Sequence, residues 1–386
     1  MRSRGLARLV SVVMLGTMLS ACSGEDDPLS RIHAYDPSRP GAPTASGGTQ
    51  EPPPKPVARP WRAGMRQYGI AVYWERNTKD SDQTVRAKAR RILDWVVSTG
   101  ANSVSLSYPF TMSGITSSRI NDDGPMTPTA GQIGIVLEEA RARRLRAALR
   151  PILSEKNLTA KDPKAWRGTI APADRDEWFA SYAAMISKYA KPAQTFGAAS
   201  IIVATELNSM ERDRRWSRVT KAAAQVFRGE LGYSANHDRL PGSMPISGVV
   251  KSVDAYPPVN LPDSATVAQL TAALDAWLEA NTVGATPELV LAEVAIGARR
   301  GAYKKPFSTA PNGPLVPRIQ QRWFDATCEL MRRRDLGGIY YWMINFDADP
   351  RTVKPTAAAP MDFVGGESVG NVRACFARPA ERKSGT

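Results

Sequence analysis

Apolar runs with the length of buried strands alternate with amphipathic helical patterns along most of this chain. Eight runs read as strands: Tyr68–Tyr73, Ser103–Tyr108, Leu145–Ile152, Ser200–Thr205, Gly232–Asn236, Val249–Tyr256, Leu289–Val294 and Gly338–Ile344. Helical spacing of apolar residues joins most of them, over Val85–Ser98, Gly131–Arg144, Asp174–Tyr189, Trp216–Gly229, Val267–Ala280 and Arg318–Arg334. This alternation predicts an α/β fold, a (β/α)8 TIM barrel, in a single domain.

An open, doubly wound parallel sheet is the alternative, because the connection between the fifth and sixth strands has little helical pattern. Such sheets usually carry a glycine-rich phosphate loop after the first strand. No Gly-x-Gly-x-x-Gly motif follows Tyr68–Tyr73 or any other predicted strand. The barrel is therefore the preferred prediction.

Two of the predicted strands end in a glutamate, Glu206 after Ile201–Thr205 and Glu293 after Leu289–Ala292. In a barrel of this kind the active site lies at the C-terminal ends of the strands. Two carboxylates converging there are what the cleavage of a glycosidic bond requires, since one protonates the leaving oxygen and the other attacks or activates water. The sequence therefore predicts a carboxylate pair.

The remaining strand ends are mainly polar or aromatic. They carry Tyr73, Trp74, Tyr108, Arg150, Asn236, Tyr256, Trp342 and Asn345. With these predicted strand boundaries, only the two glutamates are acids that end a strand. Aromatic faces stack on pyranose rings, while amide, guanidinium and phenol groups bond sugar hydroxyls. This composition is typical of a sugar-binding cleft.

The residue inventory excludes several other chemistries. Only two histidines occur, His33 and His237, so a multi-histidine metal site is excluded and we expect no metal or other cofactor. No Gly-x-Ser-x-Gly elbow supports a serine nucleophile.

The net charge of +14 comes from short arginine clusters without interleaved aromatic residues, so we expect no nucleic-acid partner. Attraction to anionic lipid or wall polymer, or a merely solvated surface, explains the charge better.

Several short motifs, in this order and placement, resemble glycoside hydrolase family 113, the β-mannanase-like barrels of a large retaining clan. They are Trp166-Arg167-Gly168, Thr205-Glu206-Leu207, Tyr233-Ser234-Ala235-Asn236, Asp254-Ala255-Tyr256, Ala292-Glu293-Val294 and Tyr341-Trp342. The resemblance covers the chain from about Tyr68 to Phe346. It implies a (β/α)8 barrel and a polysaccharide or oligosaccharide substrate.

The resemblance also implies roles for individual residues. Glu206 corresponds to the acid/base on strand four and Glu293 to the nucleophile on strand seven. The residues that it and the strand ends assign to substrate binding are Tyr73, Trp74, Arg150, Trp166, Arg167, Asn236, Tyr256 and Trp342. Within that set, Trp342 would floor the subsite of the reacting sugar, and Tyr256 could hold the charge of the nucleophile.

Two positions depart from the pattern that the resemblance implies. The wider clan usually has an asparagine immediately before the acid/base, where this chain has Thr205. The family's common aromatic residue after the asparagine of strand five is replaced by His237. These departures concern the choice of substrate more than the class of reaction.

The N-terminus reads as a targeting segment followed by a tether. Residues 1–21 form a basic and then apolar leader that ends before Cys22, as in a bacterial lipoprotein signal; an ordinary secretory leader is the alternative. Residues 22–60 are rich in Pro, Gly and Ser, which predicts a disordered tether before a folded domain over 61–386. We therefore expect an exported protein, anchored by lipid to the outer face of the cell membrane.

The two remaining cysteines, Cys328 and Cys375, could form a disulfide outside the cytoplasm, or could be two separate buried thiols.

Two functions follow from the sequence. The first is a monomeric retaining glycoside hydrolase that cleaves a β-linked glycan, with mannan-type chains preferred. The second is a non-catalytic lipoprotein that binds glycan or serves as a scaffold in the envelope.

Overall fold

Eight parallel strands close into a barrel in which each strand pairs with the next along the chain and β8 pairs with β1. In this computed structural model, the residues described are 54–240, 249–282, 287–310 and 313–382. The strands are β1 (Gln67–Tyr73), β2 (Ser103–Phe110), β3 (Arg146–Leu153), β4 (Ser200–Thr205), β5 (Glu230–Asn236), β6 (Val249–Asp254), β7 (Val290–Val294) and β8 (Gly338–Asn345). The predicted (β/α)8 barrel is confirmed.

Helices follow most of the strands. They are α1 (Asp82–Ser98), α2 (Ala130–Ala142), the short α3 (Lys156–Thr159), α4 (Arg175–Phe196), α5 (Trp216–Val226), α6 (Val267–Asn281), α7 (Pro317–Arg333) and α8 (Val369–Phe376). Side-chain caps begin several of them, including Asp174, whose carboxylate accepts a hydrogen bond from the amide of Glu177. α4 runs beyond the predicted Tyr189 to Phe196 and ends at Gly197, whose φ of 74° suits glycine.

The barrel interior near the N-terminal ends of the strands is unusually polar for a packed core. A small cavity of about 40 Å³ there is lined by residues that include Gln67, Arg146, Glu230 and Tyr340. Tyr340 fits because Gly69 lies opposite, where a Cβ atom would approach the tyrosine ring to 2.2 Å. The interior therefore has room for the long side chain of Arg150, which lines the same cavity and extends toward the mouth.

The folded domain begins earlier than the predicted boundary at residue 61. Val57 is 5% exposed, and its amide donates a hydrogen bond to the carbonyl of Arg143. The last residues of the predicted tether are thus packed against α2. Cys22, the leader and most of the tether lie outside the described residues. Within the described ranges, no helix combines the length and apolar composition that are needed to cross a bilayer.

At the opposite end of the chain, a disulfide joins Cys328 of α7 to Cys375 of α8, with their Cα atoms 6.0 Å apart. Phe376, the next residue, lies against Tyr68 at the start of β1, with ring centroids 5.3 Å apart. The bond therefore fastens α8 across the N-terminal end of the barrel, away from the strand ends that carry the candidate site.

Candidate active site

Glu206 lies directly after β4 in an unusual backbone conformation. Its φ of 52° is left-handed, and its amide donates to the carbonyl of Ser234 at the end of β5. The pairing of β4 with β5 shifts register between Ile202 and Ala204, just before this turn. A register shift redirects the side chains that follow it. The Glu206 side chain is 15% exposed at the barrel mouth.

Burial and nearby charges, above all those of Arg167 and Glu293, set the proton affinity of Glu206. Burial raises its pKa to about 7; the Arg167 guanidinium opposes that rise, and the charge of Glu293 adds to it. Arg167 Nη1 lies 3.7 Å from Glu206 Oε2, while its Nε donates to Glu155 at 2.9 Å. At neutral pH a large fraction of Glu206 therefore carries the proton that a general acid needs.

Glu293 lies near the end of β7, beside a register shift between Leu291 and Val294. Arg150 Nη1 is 2.5 Å from one of its carboxylate oxygens, and the Tyr256 hydroxyl donates to the other at 2.7 Å. The ion pair and the hydrogen bond hold one carboxylate oxygen each, so together they fix the orientation of the Glu293 side chain.

Arg150 of β3 links three other strand ends through one guanidinium. Its Nη1 faces Glu293 of β7, its Nη2 lies 2.7 Å from both carboxylate oxygens of Asp254 on β6, and its Nε donates to Thr205 Oγ1 of β4 at 3.2 Å. Ser234 Oγ also donates to Asp254. Arg150 is 1% exposed, so its donors are directed to protein groups.

Asp254 was missed as a strand-end acid, because β6 was predicted to run to Tyr256. The strand ends at Asp254, which pairs in register with Asn236 on one side and Glu293 on the other. Burial raises the pKa of the Asp254 carboxyl, and the Arg150 guanidinium opposes that rise. Asp254 is two residues before Tyr256 and therefore on the same side of the strand, and this spacing could have assigned its carboxylate to the site.

Three residues that were predicted to bind substrate are instead buried in the protein. Trp74 is 1% exposed and stacks on Phe346, with ring centroids 4.3 Å apart, so its ring is packed inside the protein and has no free face for a sugar. Arg150 and Tyr256 are buried and bond Glu293 directly. They orient the Glu293 carboxylate, which is the alternative role that was predicted for them, and their burial argues against a contact with substrate.

Tyr73 at the end of β1 and Trp342 within β8 form a half-buried aromatic wall. Their ring centroids are 5.8 Å apart, and the Arg150 guanidinium lies 5.8 Å from the Trp342 ring, which places the wall beside the residues that hold Glu293. Trp342 leads into a cis peptide bond with Met343. This wall offers an aromatic face for a pyranose ring.

The loop between β3 and α4 supplies the rim on the side of Glu206. Trp166 packs over Gly168, where a Cβ atom would come within 2.3 Å of the indole ring. Arg167, anchored by Glu155, reaches from this loop to Glu206. On the neighbouring strand, Asn236 at the end of β5 is half-buried, and its Oδ1 accepts no hydrogen bond from the described residues. The contact with substrate predicted for these three residues stays a prediction.

Glu206 and Glu293 therefore belong to one site. The charge of Glu293 acts on the proton affinity of Glu206, and Arg150 contacts both Glu293 and Thr205, the residue before Glu206. Glu293 is contacted by a guanidinium and a phenol, whereas burial raises the pKa of Glu206 to about 7. Two carboxyls in such different surroundings can supply an acid and a nucleophile to the same substrate.

Comparison with known proteins identifies related sequences and folds. The model of Glycoside Hydrolase Family 113 matches residues 73–359. A solved GH113 β-mannanase, AaManA from Alicyclobacillus acidocaldarius in complex with ManMIm, is 20% identical with a TM-score of 0.65, over 81% of this chain and 97% of that one. A GH113 β-1,4-mannanase is 16% identical with a TM-score of 0.66, over 81% and 99%. A search of curated proteins gives no match.

Proposed function

The chain belongs to glycoside hydrolase family 113, and from this premise we propose that it hydrolyses β-linked mannan chains with retention of anomeric configuration. The observation that carries the proposal is the contrast between its two glutamates. Glu293 is paired with Arg150 and Tyr256, while burial raises the pKa of Glu206 to about 7. That contrast suits a nucleophile and an acid.

In the first step, a Glu293 carboxylate oxygen forms a bond to the anomeric carbon as the bond from that carbon to the leaving oxygen breaks. Glu206 gives its proton to the leaving oxygen, so the departing sugar leaves as a neutral alcohol. Arg150 and Tyr256 keep the Glu293 oxygens aligned for the attack. The products are a covalent glycosyl-enzyme, an ionised Glu206 and the released part of the chain.

In the second step, Glu206 accepts a proton from a water molecule, and the water oxygen attacks the anomeric carbon. The bond to Glu293 breaks, which restores its carboxylate and leaves Glu206 protonated for the next cycle. Two inversions at one carbon give net retention. Retaining enzymes hold their carboxyls about 5–5.5 Å apart, close enough for both groups to act on one centre.

The preference for mannan rests on the family and on the cleft. Solved relatives of similar fold in the family are β-1,4-mannanases. The wall of Tyr73 and Trp342 supports the binding of a pyranose ring next to Glu293, and the rim carries the polar groups of Arg167 and Asn236 for its hydroxyls. Thr205, whose hydroxyl is engaged by Arg150, stands where the wider clan has an asparagine.

The proposal is tested by measuring release of reducing sugar from β-1,4-mannan, cellulose, xylan and β-1,3-glucan. We expect the wild type to cleave mannan best, and Glu293→Ala and Glu206→Gln each to lose at least about 100-fold in kcat/KM. The matched control is Glu155→Gln, which removes a carboxylate from the same rim and should leave measurable turnover. Full turnover in either catalytic variant would overturn the assignment.

A binding measurement made with the same glycans separates this proposal from a non-catalytic role. If the wild type binds mannan by calorimetry but releases no sugar from any substrate, the chain is a glycan-binding protein. We expect binding and cleavage together in the wild type, and binding without cleavage in Glu293→Ala.

We also propose that the mature protein is attached to the outer face of the cell membrane by a lipid on Cys22. The support is the sequence Leu19-Ser20-Ala21-Cys22 after a basic and apolar leader. Expression with a radiolabelled fatty acid should label the wild type, while Cys22→Ser should lose the label. An unlabelled wild type with cleavage at another small residue would favour an ordinary secretory leader.

A further inference from the structure

Phe307 is an exposed aromatic side chain at the barrel mouth. It is 51% exposed, and among the described residues the other exposed large hydrophobic side chain is Val250, near the N-terminal end of β6. The Phe307 ring lies over His237, with centroids 6.0 Å apart and planes inclined by 13°. We call this pair, Phe307 and His237, the aromatic platform.

Both members of the aromatic platform are held by ordered neighbours. The carbonyl of His237 accepts a hydrogen bond from the indole of Trp277 on α6, at 3.1 Å. The loop that carries Phe307 is anchored where the amide of Val259 donates to the carbonyl of Tyr303, a residue with no exposed surface. Rigid support matters because a preorganised ring binds a ligand with less loss of entropy.

The aromatic platform and the aromatic wall of Tyr73 and Trp342 rise from different strands around the same mouth. Tyr73 ends β1 and Trp342 lies in β8, whereas His237 follows β5 and Phe307 comes from the loop after β7 and reaches over His237. In the closed barrel β7 is the direct neighbour of β8, while β5 is four places along from β1, on the other side of the ring of strands. A glycan that spans both aromatic groups therefore crosses the mouth that holds the two glutamates.

The position of the acid decides which part of the glycan reaches the aromatic platform. Glu206 must touch the oxygen of the departing sugar, and it follows β4, the direct neighbour of β5. Its amide is bonded to Ser234 of β5, two residues before Asn236. The leaving sugar therefore lies on the β5 side, next to Asn236 and His237.

The chemistry of the aromatic platform suits an uncharged sugar. Burial lowers the pKa of His237, so its ring is neutral at neutral pH and presents an aromatic backing for Phe307. Asn236, the half-buried residue before His237, adds an amide side chain at the end of the same strand. A flat apolar face flanked by a polar amide is the usual arrangement for a pyranose ring.

We infer that Phe307, backed by His237, binds the sugar on the leaving-group side of the cleaved bond. This inference rests on the proposed hydrolase function and names one of its subsites. Within the aromatic platform, His237, which departs from the family pattern in sequence, stacks against one face of Phe307, and Phe307 supplies the exposed aromatic surface.

The test compares two substrates that differ in their leaving groups. Mannohexaose places sugars on both sides of the cleaved bond, whereas β-mannobiosyl fluoride has a single atom as its leaving group. We expect Phe307→Ala to lower the ratio of kcat/KM for mannohexaose to kcat/KM for the fluoride by about tenfold. Phe307→Trp, which retains a flat ring, should keep the wild-type ratio.

Val250→Ala is the matched control, because it truncates an exposed apolar side chain at the other end of the barrel and should not change the ratio. An unchanged ratio in Phe307→Ala would overturn the inference. A wild type that cleaves neither substrate would overturn the proposed function instead. Calorimetry with mannohexaose would then still test the aromatic platform, since equal affinity of the wild type and Phe307→Ala would refute it.

Discussion

Arg150 and Glu293 are joined by a buried ion pair in which Nη1 lies 2.5 Å from a carboxylate oxygen. The same guanidinium bonds both oxygens of Asp254, so one cation faces two buried carboxyl groups. An ion that is removed from water needs such partners, because its desolvation is otherwise unfavourable by several kcal/mol. Glu293 is therefore positioned by a network that also stabilises the barrel core.

Arg150→Met should weaken the fold as well as abolish turnover. It leaves Asp254 and Glu293 buried without their cation, and we expect the free energy of unfolding to fall by about 3–5 kcal/mol in urea denaturation. Adding Asp254→Asn removes one stranded charge and should recover part of that loss. Wild-type stability in Arg150→Met would contradict the network.

Arg146→Met provides the control for the loss of a buried arginine. Arg146 lies on the same strand and is 7% exposed, but its partner Glu230 has a side chain that is 47% exposed and can be hydrated. We expect a smaller loss of stability and retained turnover in this variant. Equal losses of stability in both variants would show that the charge network at the mouth stabilises the fold no more than the Arg146–Glu230 pair does.

Tyr256→Phe should slow attack by Glu293 without unfolding the protein. It removes one hydrogen bond to a charged carboxylate, of the kind that contributes about 1.5–3 kcal/mol. We expect kcat/KM for mannohexaose to fall by about 10–100-fold. Tyr303→Phe, which loses a hydroxyl bonded to the carbonyl of Ile319, should keep full activity. Unchanged kinetics in Tyr256→Phe would remove its positioning role.

The pH dependence of kcat/KM should show an alkaline limb near pH 7. Glu206 acts as an acid only when protonated, and its pKa is raised to about 7, so activity is lost as pH rises through that value. Arg167 holds this pKa down, so Arg167→Met should move the limb to higher pH. Arg167→Lys keeps the charge and should leave it nearer the wild-type position. A limb that moves to lower pH in Arg167→Met would contradict this.

The disulfide should contribute stability but not catalysis. It closes a loop of 47 residues between α7 and α8, and such a link typically contributes about 2–4 kcal/mol. The double variant Cys328→Ser, Cys375→Ser should therefore have a lower Tm by calorimetry. Its kcat/KM at 25 °C should match the wild type, because α8 covers the N-terminal end of the barrel. An unchanged Tm would contradict a structural role.

The barrel could be predicted from sequence because its repeating unit is local. Each strand is a short apolar run, and each helix has its own periodicity, so no long-range contact has to be known. Glu206 and Glu293 were found by the same means, since each interrupts the apolar pattern where its strand ends.

Contacts between distant residues could not be predicted in the same way. Asp254 bonds Arg150 across 104 positions of sequence, and only the closed barrel brings them together. Trp74 is a different case, because neighbouring side chains of a strand point to opposite faces. Tyr73 faces the mouth, so alternation alone could have placed Trp74 in the layer beneath, against Phe346.

The most direct test of a shared anomeric centre for Glu206 and Glu293 is the configuration of the first product. Proton NMR, recorded during cleavage of mannohexaose and before mutarotation, distinguishes α from β at the new reducing end. Double displacement through Glu293 predicts that the β-anomer accumulates first. Initial formation of the α-anomer would contradict this mechanism, because it requires direct attack by water at carboxyls that are held too far apart for a covalent intermediate.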